Sequence, residues 1–574
     1  MQEKRLTGYP SIDKPWLKKY SKGLINQPLF NGSAYEYIWE QNNKNQNDIA
    51  IEFFGKKISY KTMFSNINKI ENSLKRIGIR KGDVVSIVSL TTPELIYLFY
   101  ALNHLGAVAN MLDPRMPKRM LLKLTKKANS KNIFILNIFN ETCKFFCSLD
   151  DYNVILMEFS NSMPLLGKLL FLIKEKRKAN KTADKWNDFM NKSDELCGDD
   201  LELQEESGNK PALIEYTGGT TGEPKGVVLS NNNINSVAEQ YSKNGTELKR
   251  GQIWQCVSAP FIAYVMIVST HLPLSQGVTC SISMYDPEKI SKSIVKGKYN
   301  HIAGNPAVWE KVIQSKAKKS NLSKLVMPIS GADSMSETLE KKTNLFLKKC
   351  GCKNVICNGY GMTESGAGSC VNLSKTISKM GSVGIPFINT VISVFDETTD
   401  KELKYGEIGE ICIHGPGVML GYLNNEKATE EIIKTHKDGK KWLHTGDYGH
   451  MDEDGFLFID GRIKRMIIRE NGAKVFPLEI EKEILKIDGV KKCAVIGKKD
   501  KMDQIPIGFV VLDKNNNNLN KNEIINHCRN GVQEYSIPDD ILFVDKIPLT
   551  PIGKVDYREL ERLVKVKSNE NGEK

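Results

Sequence analysis

Between residues 51 and 115 the apolar positions switch between strand-like and helix-like spacing. Ile51-Glu52-Phe53-Phe54 and Lys57-Ile58-Ser59-Tyr60 read as a short hairpin, and a helical stretch follows around 61–77. Gly82-Asp83 turns the chain into the apolar run Val84 to Leu90, and after Pro93 a second amphipathic helix runs to Gly106. Such alternation predicts a parallel sheet covered by helices on both faces. Further strand-then-helix units are expected at 132–138, 153–157, 211–216, 253–258, 278–283, 300–303, 325–330 and 354–357. No fixed-period repeat is visible.

Residues 159–210 break the rhythm. The run Met163-Pro164-Leu165-Leu166-Gly167-Lys168-Leu169-Leu170-Phe171-Leu172-Ile173 is mostly apolar, Lys174 to Lys181 is basic, and the stretch from Asp194 to Glu206 is acidic. The apolar run is shorter than the roughly 18 residues that a transmembrane helix needs. It reads as a helix packed on the domain surface, or else as a weak peripheral membrane contact or a lid over a greasy substrate. From about residue 390 the pattern turns strand-rich with glycine-containing turns, which predicts a small β subdomain over about 390–461. Asp460-Gly461-Arg462-Ile463-Lys464 closes it, so the expected domains are 1–461 and 462–574. The second is a compact α/β unit whose charged end, Lys567 to Lys574, is expected to be disordered.

Composition narrows the class only a little. Hydrophobic residues are 40% and charged residues 26%, as in a globular protein of several cores. The net charge of +13 comes from lysines spread along the chain. A solvated basic surface accounts for it; the alternative is a basic patch for nucleotide phosphates, coenzyme A or acidic lipid headgroups. Nucleic acid is not an expected partner. The twelve cysteines show no CxxC or zinc-ribbon spacing, and Met1-Gln2-Glu3-Lys4-Arg5 lacks the apolar stretch of a signal peptide. Both point to reduced thiols in a cytoplasmic protein.

The strongest local chemistry lies in Tyr216-Thr217-Gly218-Gly219-Thr220-Thr221-Gly222-Glu223-Pro224-Lys225-Gly226-Val227, which follows the apolar strand Ala212-Leu213-Ile214. Its glycines let backbone N–H groups approach phosphate oxygens, its threonines add hydroxyl donors, and Lys225 adds charge. It is not a Walker A loop, because Lys225 is followed by Gly226 rather than Ser or Thr.

This loop resembles that of the adenylate-forming superfamily: acyl-CoA synthetases, peptide-synthetase adenylation domains and beetle luciferases. The family's other segments follow in order. They are Ser330-Gly331-Ala332-Asp333, Asn358-Gly359-Tyr360-Gly361-Met362-Thr363-Glu364, Gly381-Ser382-Val383-Gly384-Ile385-Pro386 and Gly406-Glu407-Ile408-Gly409-Glu410. Then come Gly421-Tyr422-Leu423, Trp442-Leu443-His444-Thr445-Gly446-Asp447 and Asp460-Gly461-Arg462-Ile463-Lys464. Gly472-Ala473-Lys474-Val475-Phe476-Pro477-Leu478-Glu479-Ile480-Glu481 and Pro548-Leu549-Thr550-Pro551-Ile552-Gly553-Lys554-Val555 complete the set. The resemblance extends from about residue 35 to 565. It implies an α/β fold: a large N-terminal domain of α/β subdomains with a small β subdomain, and a small mobile α+β C-terminal domain.

It also implies an activity, the attack of a carboxylate on the α-phosphorus of ATP. Two anions must meet, so the site must neutralise charge and fix geometry. By resemblance, Glu364 would bind Mg2+, Thr363 would bond the α-phosphate, Tyr360 would stack on adenine, and Asn358 would border the purine's edge, with Gly359 and Gly361 of the same segment also at the nucleotide. Gly331 and Ala332 would wall the acyl and adenine pocket. Asp447 would accept from both ribose hydroxyls, with Ile459 and Arg462 nearby. Lys554 would bridge carboxylate and α-phosphate oxygens in the transition state. Lys464 would be the hinge on which the C-terminal domain swings, bringing Gly472 to line a tunnel for a pantetheine arm.

The implied reactants are a small-molecule carboxylic acid (a medium- or long-chain fatty or aryl acid), ATP with Mg2+, and coenzyme A. An acyl carrier protein is the alternative thiol. A non-catalytic nucleotide-binding relative would be expected to lose Lys554, Glu364 or Asp447, and all three are present. Two positions depart from the pattern. Where the family has Pro-x-Phe-His-x-x-Gly, this chain has Ala259-Pro260-Phe261-Ile262-Ala263-Tyr264, so the histidine is replaced by Ala263 or displaced as Tyr264, possible as an aromatic gate. The next imidazole, His271, fits a core or surface role better. Asp333 either receives a polar substrate group or, the favoured reading, caps the following helix.

Overall fold

The computed structural model describes residues 6–165, 167, 183–191, 207–217, 224–243, 248–257, 259–283, 286–316, 321–373, 377–471, 473–500, 503–513, 519–549 and 555–572. Among these, two large sheets dominate. An eight-stranded sheet is built on the parallel strands Val84–Val88, Val108–Leu112, Asn132–Leu136, Asn153–Met157 and Pro211–Thr217. A nine-stranded sheet contains Ile49–Phe53, Ile253–Val257, Thr279–Ser283, His301–Gly304, Met327–Ser330 and Cys357–Tyr360, also parallel.

The largest core unites the two sheets. Phe134 and Leu213 of one and Trp254 and Ile329 of the other share it with Leu98 and Val237 of two helices, Pro93–Leu105 and Asn231–Lys243. Those helices are buried almost all round, which suits helices enclosed by protein. The second carries buried polar residues, each given work. Asn233 donates to the carbonyls of Pro416 and Val418 at 2.8 Å, fixing the segment that leads into Gly421–Tyr422. His271 lies in this core: Nδ1 meets the Tyr100 hydroxyl and Nε2 meets Asn235 Oδ1, both at 3.0 Å, and burial depresses its pKa to about 3.

A five-stranded antiparallel sheet, Val391–Phe395, Gly409–His414, Ile433–Thr435, Lys441–Met451 and Leu457–Arg462, occupies the region of the expected β subdomain. Beyond the short turn Ile463–Arg465 come a hairpin (Ile467–Ile468 with Lys474–Val475) and a three-stranded sheet of Val490–Asp500, Asp503–Leu512 and Asp540–Phe543. Their cores are separate, drawn from Ile467 to Val564. This unit meets the rest through polar contacts and through Phe476, whose ring lies 5.2 Å from that of Tyr448. Lys474 pairs with Glu397, Lys482 Nζ donates to Ile459 O at 2.9 Å, Thr338 Oγ1 donates to Leu485 O at 3.3 Å, and Lys492 faces Glu310 at 3.5 Å. The two ion pairs are partly exposed, and pairs of this kind are worth at most about 1 kcal/mol each.

Three expectations need correction. Pro211–Thr217 does not lead into a helix; it forms an antiparallel hairpin with Lys225–Ser230, and the helix comes after. The strand expected at 354–357 is Cys357–Tyr360, because Asn354 donates to Val326 O and Ile356 N donates to Asn344, holding that segment in a turn. The cap of Glu337–Lys349 is Ser336, whose Oγ accepts from Leu339 N at 3.3 Å. Asp333 sits too far upstream and accepts only from Ser334 N at 2.9 Å. The helix Tyr557–Gly572 reaches into the charged end, and residues 573–574 lie outside the described residues. No described helix is long and apolar enough to cross a membrane. Most of the apolar run 163–173 lies outside the described residues, and the described cysteines are free thiols.

Candidate active site

Three strand ends and two loops converge at one edge of the large sheets. The strand Cys357–Tyr360 delivers Asn358, Gly359 and Tyr360. Gly361 follows where a Cβ would stand 2.4 Å from Ala367 O, so a side chain has no room. The turn Thr363–Ser365 then presents half-buried Thr363 and buried Glu364.

Glu364 is tied to three other elements. Tyr422 Oη donates to its Oε1 at 2.8 Å, and Met419 N donates to its backbone carbonyl at 2.9 Å. Lys225, at the start of Lys225–Ser230, holds Nζ 4.7 Å from the Tyr422 ring centre, a cation–π contact that aims the ammonium toward the same corner. Burial raises the Glu364 pKa, while the Tyr422 hydrogen bond and the charges of Arg462 and Lys225 oppose that rise. A desolvated carboxylate that keeps cationic neighbours can hold a hard divalent ion, and magnesium takes oxygen ligands of this type. Thr217 closes the hairpin, its hydroxyl 3.5 Å from Lys225 O; Gly218, Gly219, Thr220 and Thr221 lie outside the described residues.

A second corner forms around Asp447, on Lys441–Met451 and 4% exposed. Tyr360 Oη donates to its Oδ2 at 2.7 Å, and Arg462 Nε donates to its Oδ1 at 2.6 Å. Arg462 ends the strand Leu457–Arg462, which also carries Ile459, and Lys464 follows in the exposed turn Ile463–Arg465. Asn358 Nδ2 donates to Glu340 Oε2 at 2.9 Å, leaving its Oδ1 buried without a partner.

The pocket wall stands beside this corner. Gly331 faces Tyr264: a Cβ there would lie 3.8 Å from the tyrosine ring. Ala332 adopts φ +66°, a left-handed backbone that turns the chain at the strand end. Ala263 is buried, and the Tyr264 hydroxyl is buried with no partner among the described residues. The displaced aromatic, not an imidazole, therefore lines this wall.

Lys554 and Gly472 lie outside the described residues. The flanks of Lys554 are fixed, however. Leu549 and Val555 pair across a bridge, and Asp556 N donates to Pro548 O at 2.9 Å, so the chain on either side of residues 550–554 is held together. Tyr557, just beyond, stacks under the Arg465 guanidinium at 3.8 Å. Burial and the charge of Glu481 raise its pKa, and Asp333 of the pocket wall adds to that rise. Tyr557 is thus within electrostatic reach of the wall. Tyr422 and Glu340 were the partners that sequence reasoning left without a role; Tyr422 stood in a quoted segment, and Glu340 carried no local signal.

The chain matches the AMP-binding enzyme family over residues 38–423 and the AMP-binding enzyme C-terminal domain over residues 479–554. It is 26% identical to a long-chain-fatty-acid–CoA ligase of Bacillus subtilis (strain 168) over 95% of this chain and 97% of the relative. It is 29% identical to a probable 4-coumarate–CoA ligase 1 of Dictyostelium discoideum, over 88% of this chain and 90% of the relative. Among solved structures, ATP-bound MatB from Rhodopseudomonas palustris shares the fold with a TM-score of 0.79 at 22% identity, covering 92% of this chain and 99% of that one. Bacillus subtilis o-succinylbenzoate CoA synthetase (MenE), in complex with an acyl-adenylate, gives 0.72 at 21% identity over 93% and 99%. With the converging residues and both matched domains in place, the chain belongs to the AMP-binding enzyme family, as an AMP-forming acid–thiol ligase.

Proposed function

We propose that this enzyme converts a medium- or long-chain fatty or aryl acid to its acyl-adenylate and passes the acyl group to coenzyme A. The observation that carries this reading is the convergence of Glu364, Lys225, Tyr360 and Asp447 from separate elements on one edge. The acid's carboxylate oxygen forms a bond to the α-phosphorus of ATP as the bond to pyrophosphate breaks. The thiol then attacks the acyl carbon, AMP leaves, and the thiol proton is released. Lys225 and the 217–225 loop neutralise the triphosphate, Thr363 bonds the α-phosphate, Tyr360 stacks on the base, and Asp447 with Arg462 holds the ribose. Glu364 would hold Mg2+, which when bound supplies positive charge to the phosphates.

Lys554 enters for the first step. Rotation about Lys464 withdraws it and brings Gly472 toward the thiol path for the second. The polar contacts of the interface support such a movement. Within the proposed range of acids, the Tyr264 hydroxyl beside Gly331, unpartnered among the described residues, favours an aryl acid carrying a hydrogen-bonding group.

The named activities of the relatives favour coenzyme A; the alternative acceptor is a phosphopantetheinylated acyl carrier protein, which the +13 charge would suit. A pyrophosphate-exchange screen over short, medium, long-chain and aromatic acids identifies the substrate. Incubation of the best acid with ATP and either thiol then separates the acceptors. Exchange with no acid in the panel would contradict the proposal.

A further inference from the structure

The β subdomain holds two imidazoles nose to nose. His436 Nε2 and His444 Nε2 lie 2.9 Å apart, and Asp400 completes a group whose ligand atoms all fall within 4.8 Å of one another. We propose that Asp400, His436 and His444 form a binding site for a divalent transition ion of the zinc type, distinct from the residues assigned to nucleotide.

The hydrogen-bond pattern explains why. His444 Nδ1 meets Glu410 Oε2 at 2.8 Å, and Glu410 Oε1 in turn accepts from Gly446 N at 3.0 Å. A carboxylate can only accept, so Nδ1 carries the proton and His444 Nε2 presents a lone pair toward His436. Carboxylates in this position orient metal-binding imidazoles and raise their basicity. Two neutral rings can then approach to 2.9 Å only if His436 donates its Nε2 proton, which leaves His436 Nδ1 buried and without a partner among the described residues. An ion in place of that proton lets both Nε2 lone pairs face a common centre.

The rings are also held still. His436 stacks on Trp442, with centroids 5.8 Å apart, and meets Phe395 edge-on at 4.5 Å. Asp400 is exposed, on a turn where its N–H donates to Asp396 O at 2.9 Å; its carboxylate sits 3.7 Å from Lys434 Nζ, which must move aside. Two nitrogens and one oxygen match zinc, and three protein ligands leave a coordination position open. Cys412 belongs instead to a fully buried group with Glu410 and His444. Using it would require breaking the His444–Glu410 hydrogen bond.

The test is calorimetric titration of the full chain with Zn2+ alone, in buffer free of nucleotide and magnesium. One saturable site per chain is expected, with affinity lowered about tenfold or more by Glu410→Gln and further by His436→Ala. Cys412→Ser should bind as the parent does. Co2+ should give the visible absorption of a low-coordinate ion, absent in His436→Ala. Unchanged melting temperature and pyrophosphate exchange in His436→Ala exclude misfolding as the cause. No saturable binding, undiminished affinity in His436→Ala, or loss in Cys412→Ser alone would overturn the assignment.

Discussion

Tyr360 and Asp447 are joined by a 2.7 Å hydrogen bond from phenol to carboxylate, across 87 residues of sequence. Arg462 donates to the other carboxylate oxygen at 2.6 Å, so a ribose using this carboxylate must share or displace a donor. The two residues therefore differ in what a substitution removes. Asp447→Asn removes a charged acceptor and should raise KM for ATP about 10- to 100-fold in pyrophosphate exchange. Tyr360→Phe keeps the stacking ring and frees an acceptor, so its effect should stay under about fivefold. Equal effects would contradict the assignment of Asp447 to the ribose.

Tyr422 acts through Glu364. Its hydroxyl donates to the buried carboxylate, while its ring carries the Lys225 ammonium. Tyr422→Phe keeps the ring and loses one hydrogen bond, so kcat/KM should fall roughly fivefold to tenfold. Tyr422→Ala loses the cation–π contact as well and should fall further. An alanine variant no worse than phenylalanine would show that the ring does not position Lys225.

Glu94 gives a stability signature independent of catalysis. It is buried, its Oε1 accepts from Ser162 Oγ at 2.6 Å, and burial raises its pKa from 4.5 to about 7. Between those values the folded protein keeps a proton that the unfolded chain has released, so this group's stabilisation is lost as pH rises through the window. Glu94→Gln has no such proton. Denaturant titrations should show the variant gaining on the parent by about 3 kcal/mol between pH 4 and pH 8. A difference that does not change with pH would mean that the carboxyl is not held neutral.

Much of the architecture was legible because the relevant signals are local. Helix Tyr60–Arg76 and strand Val84–Val88 followed from periodicity, and the segments that follow in order from residue 217 onward marked the family. Pairings between distant elements were not legible. Glu364 meets Tyr422 58 residues away because two sheets bring Cys357–Tyr360 and Gly421–Tyr422 together, which no local pattern encodes. Lys225–Ser230 is too short for its period to separate strand from helix. The Asp333 cap failed on position: the capping side chain must directly precede the first helical residue, and Ser336 holds that place before Glu337.

The central claim is that Lys554, between the bridged residues Leu549 and Val555, serves adenylate formation and is withdrawn for thiol transfer. It is tested by measuring both half-reactions of Lys554→Ala with the acid found in the exchange screen. Pyrophosphate exchange should fall by about 100-fold or more, while thioester formation from supplied acyl-AMP and coenzyme A should remain close to the parent's. Equal loss of both half-reactions, or undiminished exchange, would contradict the account.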